Sequence, residues 1–436
     1  MTEDRRYRQR RVQYDNSFLA RLSSVLCPLA MTEAETSALL PAGLRDILPP
    51  DAGFAADLVQ RLRACFAGYG YDWVDPPLVE FEDTLFDGAG AAMTQETFRL
   101  MDPVSQRMMG LRTDITVQVA RIATTRLAKA PRPLRLAYAG DVLRVKGKQL
   151  RPERQFTQIG AELIGSAEGA ADVEAVVMAV DGLTRLGVRK LSVDLTVPAL
   201  VPHVLAGLGA PARAAAAIRS ALDRKDAAAV DVAAAQLGRG ATVFGLLLRA
   251  AGAVDSALAQ LARIGLPEAA RREADRLATV ARALIAALPG TAFTVDPVES
   301  RGLEYHTGIS FTIFRAGVRG ELGLGGRYLA GRAGNARPQE PATGFTLYLD
   351  PILRALPEPK MPEHVYVPFG TAADIATGLR ENGHRTVAGL APEIGGDAAA
   401  AAEAAVAEAR RLGCSHLWQG GKIAPVPAPA GSTGKE

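Results

Sequence analysis

The chain has 436 residues, 48% apolar and 22% charged, which excludes a disordered chain and is too long for one compact core, so two or three domains are expected. A net charge of +3 makes no electrostatic case for a dedicated nucleic-acid binder, and no stretch is long and apolar enough to span a membrane. Cys27, Cys65 and Cys414 lie far apart and the five histidines are scattered, so neither a disulfide framework nor a metal site is expected, as befits a reducing cytosol.

Residues 1–38 carry Arg5, Arg6, Arg8, Arg10 and Arg11 ahead of a short apolar run that Arg21 interrupts. They read as a disordered tail, or as an over-extended start with Met31 as the true initiator. Pro49-Pro50-Asp51 is a stop followed by a helix N-cap, after which Phe54, Leu58, Leu62 and Cys65 recur at helical spacing. Phe98–Met101 and Arg107–Leu111 form a hairpin around Asp102-Pro103. Thr113-Asp114 caps a helix through Ile115, Val119 and Ile122. Residues 134–144 and 155–164 are two strands without a helix between them, hence antiparallel. Val173 to Leu183 is an apolar helix stripe closed by Gly187. An Ala-rich stretch, about 200–289, reads as an inserted helical subdomain. Strands return at Phe293–Val295 and Ile309–Phe314, and residues 343–356 are a strand and a helix. Pro357, Pro359 and Pro362 mark a linker. Beyond it, 363–423 has a β-α-β-α-β pattern, and 424–436 reads as a disordered tail.

Side chains on a strand alternate faces, so Gln158, Gly160 and Glu162 share one. A polar pocket holding an ammonium group or an imidazole N–H fits them, and so does a solvent-facing sheet surface. Arg301 could clamp a carboxylate with paired hydrogen bonds or form a surface ion pair. His306 fits a ligand contact or a satisfied core position. Asp114 fits a helix cap.

In their fixed order these segments resemble the catalytic domain of class II histidyl-tRNA synthetases from about Pro41 to Leu356. The resemblance rests on Pro41-Ala42-Gly43-Leu44-Arg45-Asp46-Ile47-Leu48-Pro49, Leu111-Arg112-Thr113-Asp114-Ile115-Thr116, residues 154–165, Arg301-Gly302-Leu303-Glu304-Tyr305-His306-Thr307-Gly308, and Gly325-Gly326-Arg327-Tyr328. It implies an α+β fold with an antiparallel sheet flanked by helices, residues 39–356, followed by the small α/β domain. It implies a histidine-binding site. Asp114 and Thr116 would meet the amino group, and Arg144 matches the arginine of the second class II motif. Gln158 and Glu162 line the pocket, and Arg301 lies near the carboxylate. Tyr305 and His306 stand beside the imidazole, His306 where the family usually has tyrosine.

The nucleotide positions depart from that family. Lys146 stands where a glutamate reads adenine, and residues 147–152 lack the usual ATP-loop pattern. Tyr348 replaces a small residue, and Pro351 stands where an arginine should meet ATP. A synthetase-like chain so altered, with a reduced C-terminal tRNA-reading domain, resembles a paralogous family, the regulatory subunits of ATP phosphoribosyltransferase. That implies a non-catalytic cytoplasmic subunit without cofactor, required for the first step of histidine biosynthesis. It also implies pairing with a short-form catalytic subunit, self-association as a dimer within a hetero-oligomer, and L-histidine as a feedback effector. No tRNA or membrane partner is expected. The alternative is a divergent histidyl-tRNA synthetase.

Overall fold

The computed structural model describes residues 40–427 apart from 87–89, 91–92, 148–150, 301–304, 332–338 and 393–396. The expected N-terminal tail and Arg301 lie outside the described residues. The chain up to Arg45 is a unit of its own, with a turn closed by Leu44 N donating to Pro41 O at 3.0 Å.

From Asp46 onward the first element is α1 (Asp51–Gly68). Its cap position falls on Pro50 rather than Asp51. Asp51 instead opens the first turn, where its negative charge complements the helix dipole. Strands β1 (Asp72–Trp73) and β2 (Val79–Phe81) and the short α2 (Glu82–Leu85) follow. The hairpin β3 (Arg99–Met101) and β4 (Met108–Leu111) pairs with β2 in a three-stranded sheet, order β2-β4-β3. Next come α3 (Thr116–Thr124), β5 (Leu134–Leu143), β6 (Gln155–Ile164), α4 (Gly169–Leu186) and β7 (Leu191–Thr196). Gly187 ends α4 with φ 100°, a left-handed cap that a Cβ would disfavour.

The Ala-rich stretch is helical: α5 (Leu200–Gly207), α6 (Ala212–Asp223), α7 (Ala227–Ala234), α8 (Thr242–Arg249), α9 (Val254–Arg263) and α10 (Glu268–Ala287), with the two-residue β8 (Gly252–Ala253) between α8 and α9. Then follow β9 (Ala292–Val295), β10 (Ser310–Arg315), β11 (Gly323–Ala330), β12 (Glu340–Tyr348) and α11 (Leu349–Ala355). The glycine-rich segment Gly323-Leu324-Gly325-Gly326-Arg327-Tyr328 is itself part of a strand, β11. Its glycines let neighbours approach: a Cβ at Gly325 would overlap the Gly344 carbonyl.

The main sheet has nine strands in the order β1-β5-β6-β12-β11-β10-β7-β9-β8. Its centre is antiparallel, including β5 on β6 as expected. Two pairs are parallel, β1 with β5 and β7 with β9. The β7–β9 connection runs through the inserted helices, and such a crossover can return a strand in its original direction. The two faces of β6 feed two cores. Ile159, Ala161 and Leu163 pack with Leu58, Leu62 and Phe66 of α1 and with Ala179 and Leu183 of α4. Phe156 and Ile164 face the other way, with Val119 of α3, Tyr138, Tyr328 and Tyr348. The polar residues of β6 interrupt this second face.

The C-terminal residues form a separate sheet, order β14-β13-β15-β16, from β13 (His364–Val367), α12 (Ala373–Glu381), β14 (Arg385–Ala388), α13 (Ala398–Arg411), β15 (His416–Gln419) and β16 (Lys422–Pro425). Strands β14, β13 and β15 are parallel, and β16 adds antiparallel to β15 through a tight turn at Gly420-Gly421. Strand β16 carries ordered pairing to Pro425, past residue 423 where the tail was expected to begin.

Candidate functional site

Gln158 and Glu162 are 0% and 1% exposed, so their strand face is an interior polar cluster and not a solvent-facing sheet surface. Gln158 uses both ends of its amide. Its Oε1 accepts from Ile115 N at 3.0 Å, and its Nε2 donates to Asp114 Oδ2 at 3.0 Å. Asp114 Oδ1 accepts from Thr116 N at 2.8 Å. The N-cap position of α3 belongs to Ile115, so Asp114 stands one residue ahead of it, closing a local turn with one oxygen and meeting Gln158 with the other. Thr116 Oγ1 lies 3.1 Å from Tyr138 Oη.

Glu162 is held between two tyrosines. Tyr138 Oη donates to Oε1 at 3.3 Å, and Tyr328 Oη to Oε2 at 3.0 Å. Tyr138 Oη is also 2.8 Å from Thr346 Oγ1. Register explains the fit. Gly160 faces Tyr138 on β5 and Thr346 on β12, and Gly344 faces Glu162 across β6 and β12. A Cβ at Gly160 would overlap the Tyr138 hydroxyl, and one at Gly344 would overlap the Glu162 carboxylate. Burial pushes the Glu162 carboxyl up to about 8, partly offset by hydrogen bonds from Thr116, Tyr328 and Tyr138. Burial likewise holds Tyr138, Tyr328 and Tyr305 well above the usual phenol range.

Tyr305 and His306 approach from the turn before β10. Their rings are 4.1 Å apart, and Tyr305 meets Tyr328 edge-on at 6.3 Å. His306 is buried, and desolvation pushes its pKa down to about 3, so its ring is neutral. Its Nδ1 has no hydrogen-bond partner. Arg327 fixes this turn: Thr307 N donates to Arg327 O, and Arg327 N donates to Ile309 O, both at 2.8 Å. The Arg327 guanidinium bonds Asp172, Ser166 O and Glu168 O at the start of α4. The structure thus brings together Asp114, Thr116, Gln158 and Glu162 in one network, with Tyr305 and His306 beside it. Arg301 lies outside the described residues.

Arg144 stands apart with a different set of groups. Its Nε is 3.4 Å from Glu96 Oε2, and its guanidinium lies 5.2 Å over the Phe156 ring. Arg151 lies 3.5 Å over the ring of Tyr348 and 5.0 Å over that of Phe156, while its Nη2 meets Glu321 Oε1 at 2.8 Å. Phe156 and Tyr348 are themselves edge-to-face at 5.8 Å. Lys146 is exposed. Pro351 is buried in the first turn of α11, where a missing N–H costs no helical bond. Of the positions expected to meet a nucleotide, Arg151, Tyr348 and Pro351 are buried in the chain's own packing, Lys146 is exposed, and residues 148–150 lie outside the described residues.

Tyr138, Tyr328 and Thr346 are partners of Glu162 or of its neighbours that sequence reading missed. The available signals were a tyrosine opposite Gly160 on the paired strand and the tyrosine ending Gly325-Gly326-Arg327-Tyr328. Among the described residues no group of three or more His, Cys, Asp or Glu side chains could hold a metal, and no helix is long and apolar enough to cross a membrane.

A family model described as histidyl-tRNA synthetase matches residues 43–352. An ATP phosphoribosyltransferase regulatory subunit from Paramagnetospirillum magneticum is 53% identical over 386 residues, 88% of this chain and 97% of the relative. One from Rhodospirillum centenum is 51% identical over 389 residues, covering 89% and 96%. Among solved structures, an ATP phosphoribosyltransferase regulatory subunit/histidyl-tRNA synthetase from Bacillus halodurans superposes with a TM-score of 0.71 at 24% identity, covering 84% of this chain and 96% of that one. Histidyl-tRNA synthetase from Nostoc superposes at 0.70 with 17% identity, covering 87% and 90%. At these identities the structures establish the class II synthetase-like fold, and the near full-length relatives establish the rest: the chain belongs to the family of ATP phosphoribosyltransferase regulatory subunits.

Proposed function

We propose that this chain is the non-catalytic subunit that a short-form ATP phosphoribosyltransferase requires for the first step of histidine biosynthesis, and that the cluster around Glu162 is its effector site for L-histidine. The carrying observation is an asymmetry. The amino-acid side keeps a closed set of polar groups, while on the nucleotide side Arg151 is stacked on Tyr348 at 3.5 Å and Pro351 offers neither charge nor donor. Adenylate formation needs cations to meet phosphate charge. A histidine pocket without a nucleotide pocket suits sensing rather than aminoacylation.

The role in regulation is one of linkage. Histidine stabilises the conformation of the complex in which its pocket is best formed and shifts the population towards it. The subunit works in the cytoplasm as a dimer within a hetero-oligomer. Cys65 and Cys414, both buried and free, suit a reducing compartment.

The test is reconstitution. The chain alone and a short-form catalytic chain alone should be inactive, and the mixture should form phosphoribosyl-ATP and be inhibited by histidine. Histidine-dependent pyrophosphate exchange should be absent. Robust exchange would establish the divergent synthetase instead, and a mixture no more active than the catalytic chain alone would refute the subunit role.

A further inference from the structure

Among the described residues the polar cluster is short of positive charge. Asp114 and Glu162 share one hydrogen-bond network, and the partners described for them are neutral: Gln158, Thr116 and its N–H, Tyr138 and Tyr328. The groups facing Glu162 come from β5 (Tyr138), β11 (Tyr328), α3 (Thr116, with Asp114 ahead of it) and the turn before β10 (Tyr305). None is a cation. His306 is neutral. Glu162 is buried and Asp114 half-buried beside it, and a buried carboxylate without a cation neutralises when it lacks a charged partner.

The geometry offers a place for one proton. Tyr138 Oη has hydroxyl neighbours in Thr116 at 3.1 Å and Thr346 at 2.8 Å. It can turn its hydrogen towards Thr346 and accept from a protonated Oε1, while Tyr328 Oη continues to donate to Oε2. Glu162 is thereby satisfied as the acid as well as the carboxylate. With the ligand ammonium answering Asp114, Glu162 is left to meet the ligand ring. An ionised Glu162 facing a neutral ring would leave one uncompensated buried charge.

We propose that Glu162 carries one proton in the ligand-free protein, and that histidine binds by sharing this proton between the carboxyl and its imidazole in a pair that stays net neutral. No proton is exchanged with solvent at neutral pH. Either the acid donates to a neutral ring nitrogen, or the proton crosses and the carboxylate accepts from an imidazolium; both forms contain the same atoms and charge. This rests on the effector reading and adds its regulation: binding requires one proton in the pair. It weakens in acid, where the free ring takes a second proton, and in alkali, where Glu162 loses its own. With the ring near 6.5 and Glu162 at about 8, affinity should be about tenfold lower at pH 5.5 and at pH 9 than at pH 7.

The test uses the full chain and L-histidine in calorimetry. Titrations at pH 7 in buffers of different ionisation enthalpy count protons exchanged, and a series from pH 5.5 to 9 gives the affinity profile. Infrared difference spectra of the ligand-free protein between pH 7 and pH 9 read the carboxylic-acid carbonyl band, with Glu162→Gln to assign it. The expected results are no net proton exchange at pH 7, a bell-shaped profile, and an acid band present in the wild type and missing in Glu162→Gln. Release or uptake of most of a proton at pH 7, an alkaline limb missing from the profile, or no acid band would overturn the inference while leaving the effector site standing. If histidine does not bind at any pH, the effector reading fails and this inference with it. If Glu162→Gln does not fold, the wild-type proton count and pH profile still decide.

Discussion

Removing the Arg327 side chain should destabilise the protein through Asp172. Arg327 and Asp172 are 4% and 3% exposed, in different elements, β11 and the first turn of α4. Arg327 Nε lies 3.0 and 3.1 Å from the two Asp172 oxygens, Nη1 donates to Ser166 O at 2.7 Å, and Nη2 donates to Glu168 O at 2.8 Å. Arg327→Met would strand a buried carboxylate and two carbonyls, a loss of about 3–5 kcal/mol. Combining it with Asp172→Asn removes the stranded charge, so the double variant should be less destabilised than the sum of the singles by roughly 1–3 kcal/mol. Burial raises the Asp172 carboxyl even with Arg327 present. Without Arg327 it rises further, and a raised acid contributes stability at low pH that is lost as pH rises. The gap between wild type and Arg327→Met should therefore widen from pH 5 to pH 8. Urea unfolding at both pH values measures it, as a shift in midpoint at unchanged slope. A cost under about 1 kcal/mol, or strict additivity in the cycle, would refute the view of Arg327 as a buried staple.

Glu162→Gln should become more stable than wild type as pH rises, in the absence of ligand. The Glu162 pKa is raised from 4.5 to about 8, so wild type loses the corresponding stability across that window, on the order of 5 kcal/mol at about 1.36 kcal/mol per unit, whereas the amide does not titrate. A variant-to-wild-type difference that stays constant from pH 5 to pH 9 in chemical unfolding would contradict this. Gly344→Ala should abolish histidine binding in calorimetry, because its Cβ would overlap the Glu162 carboxylate, and unaltered affinity would show that Glu162 does not touch the ligand. Arg151→Ala should cost about 1–3 kcal/mol from a nearly buried ion pair and a ring contact, without conferring pyrophosphate exchange, since Pro351 remains; exchange in the variant would show that Arg151 alone blocked the nucleotide.

Much of this fold is legible along the chain because its signals are local. The period-two pattern of 155–164 and the adjoining strand mark β5 and β6 as an antiparallel pair, and Gly187 marks the end of α4. The separation of Gln158, Gly160 and Glu162 onto one face follows from strand geometry alone. The two-residue strands β1 and β8 are not legible, since so short a run carries no period. Nor is the strand character of Gly323–Ala330, where glycine-rich composition argues for a loop. Its glycines are there because three strands pass within contact of one another, a fact of the sheet and not of the segment.

The sequence by itself determined the family, the order of most elements, the reversed charge at Lys146 and the lost charge at Pro351, because those are properties of single positions and their spacing. It left open whether Gln158 and Glu162 face water, and it gave no role to Tyr138, Tyr328 or Arg327. Tertiary structure decided these points. Strands β5, β11 and β12 reach β6 or its neighbour from sequence distances of 24 to 208 residues to supply the hydroxyls around Glu162. Burial there raises the carboxyl, and burial is a property of everything packed around a group rather than of the group's own segment.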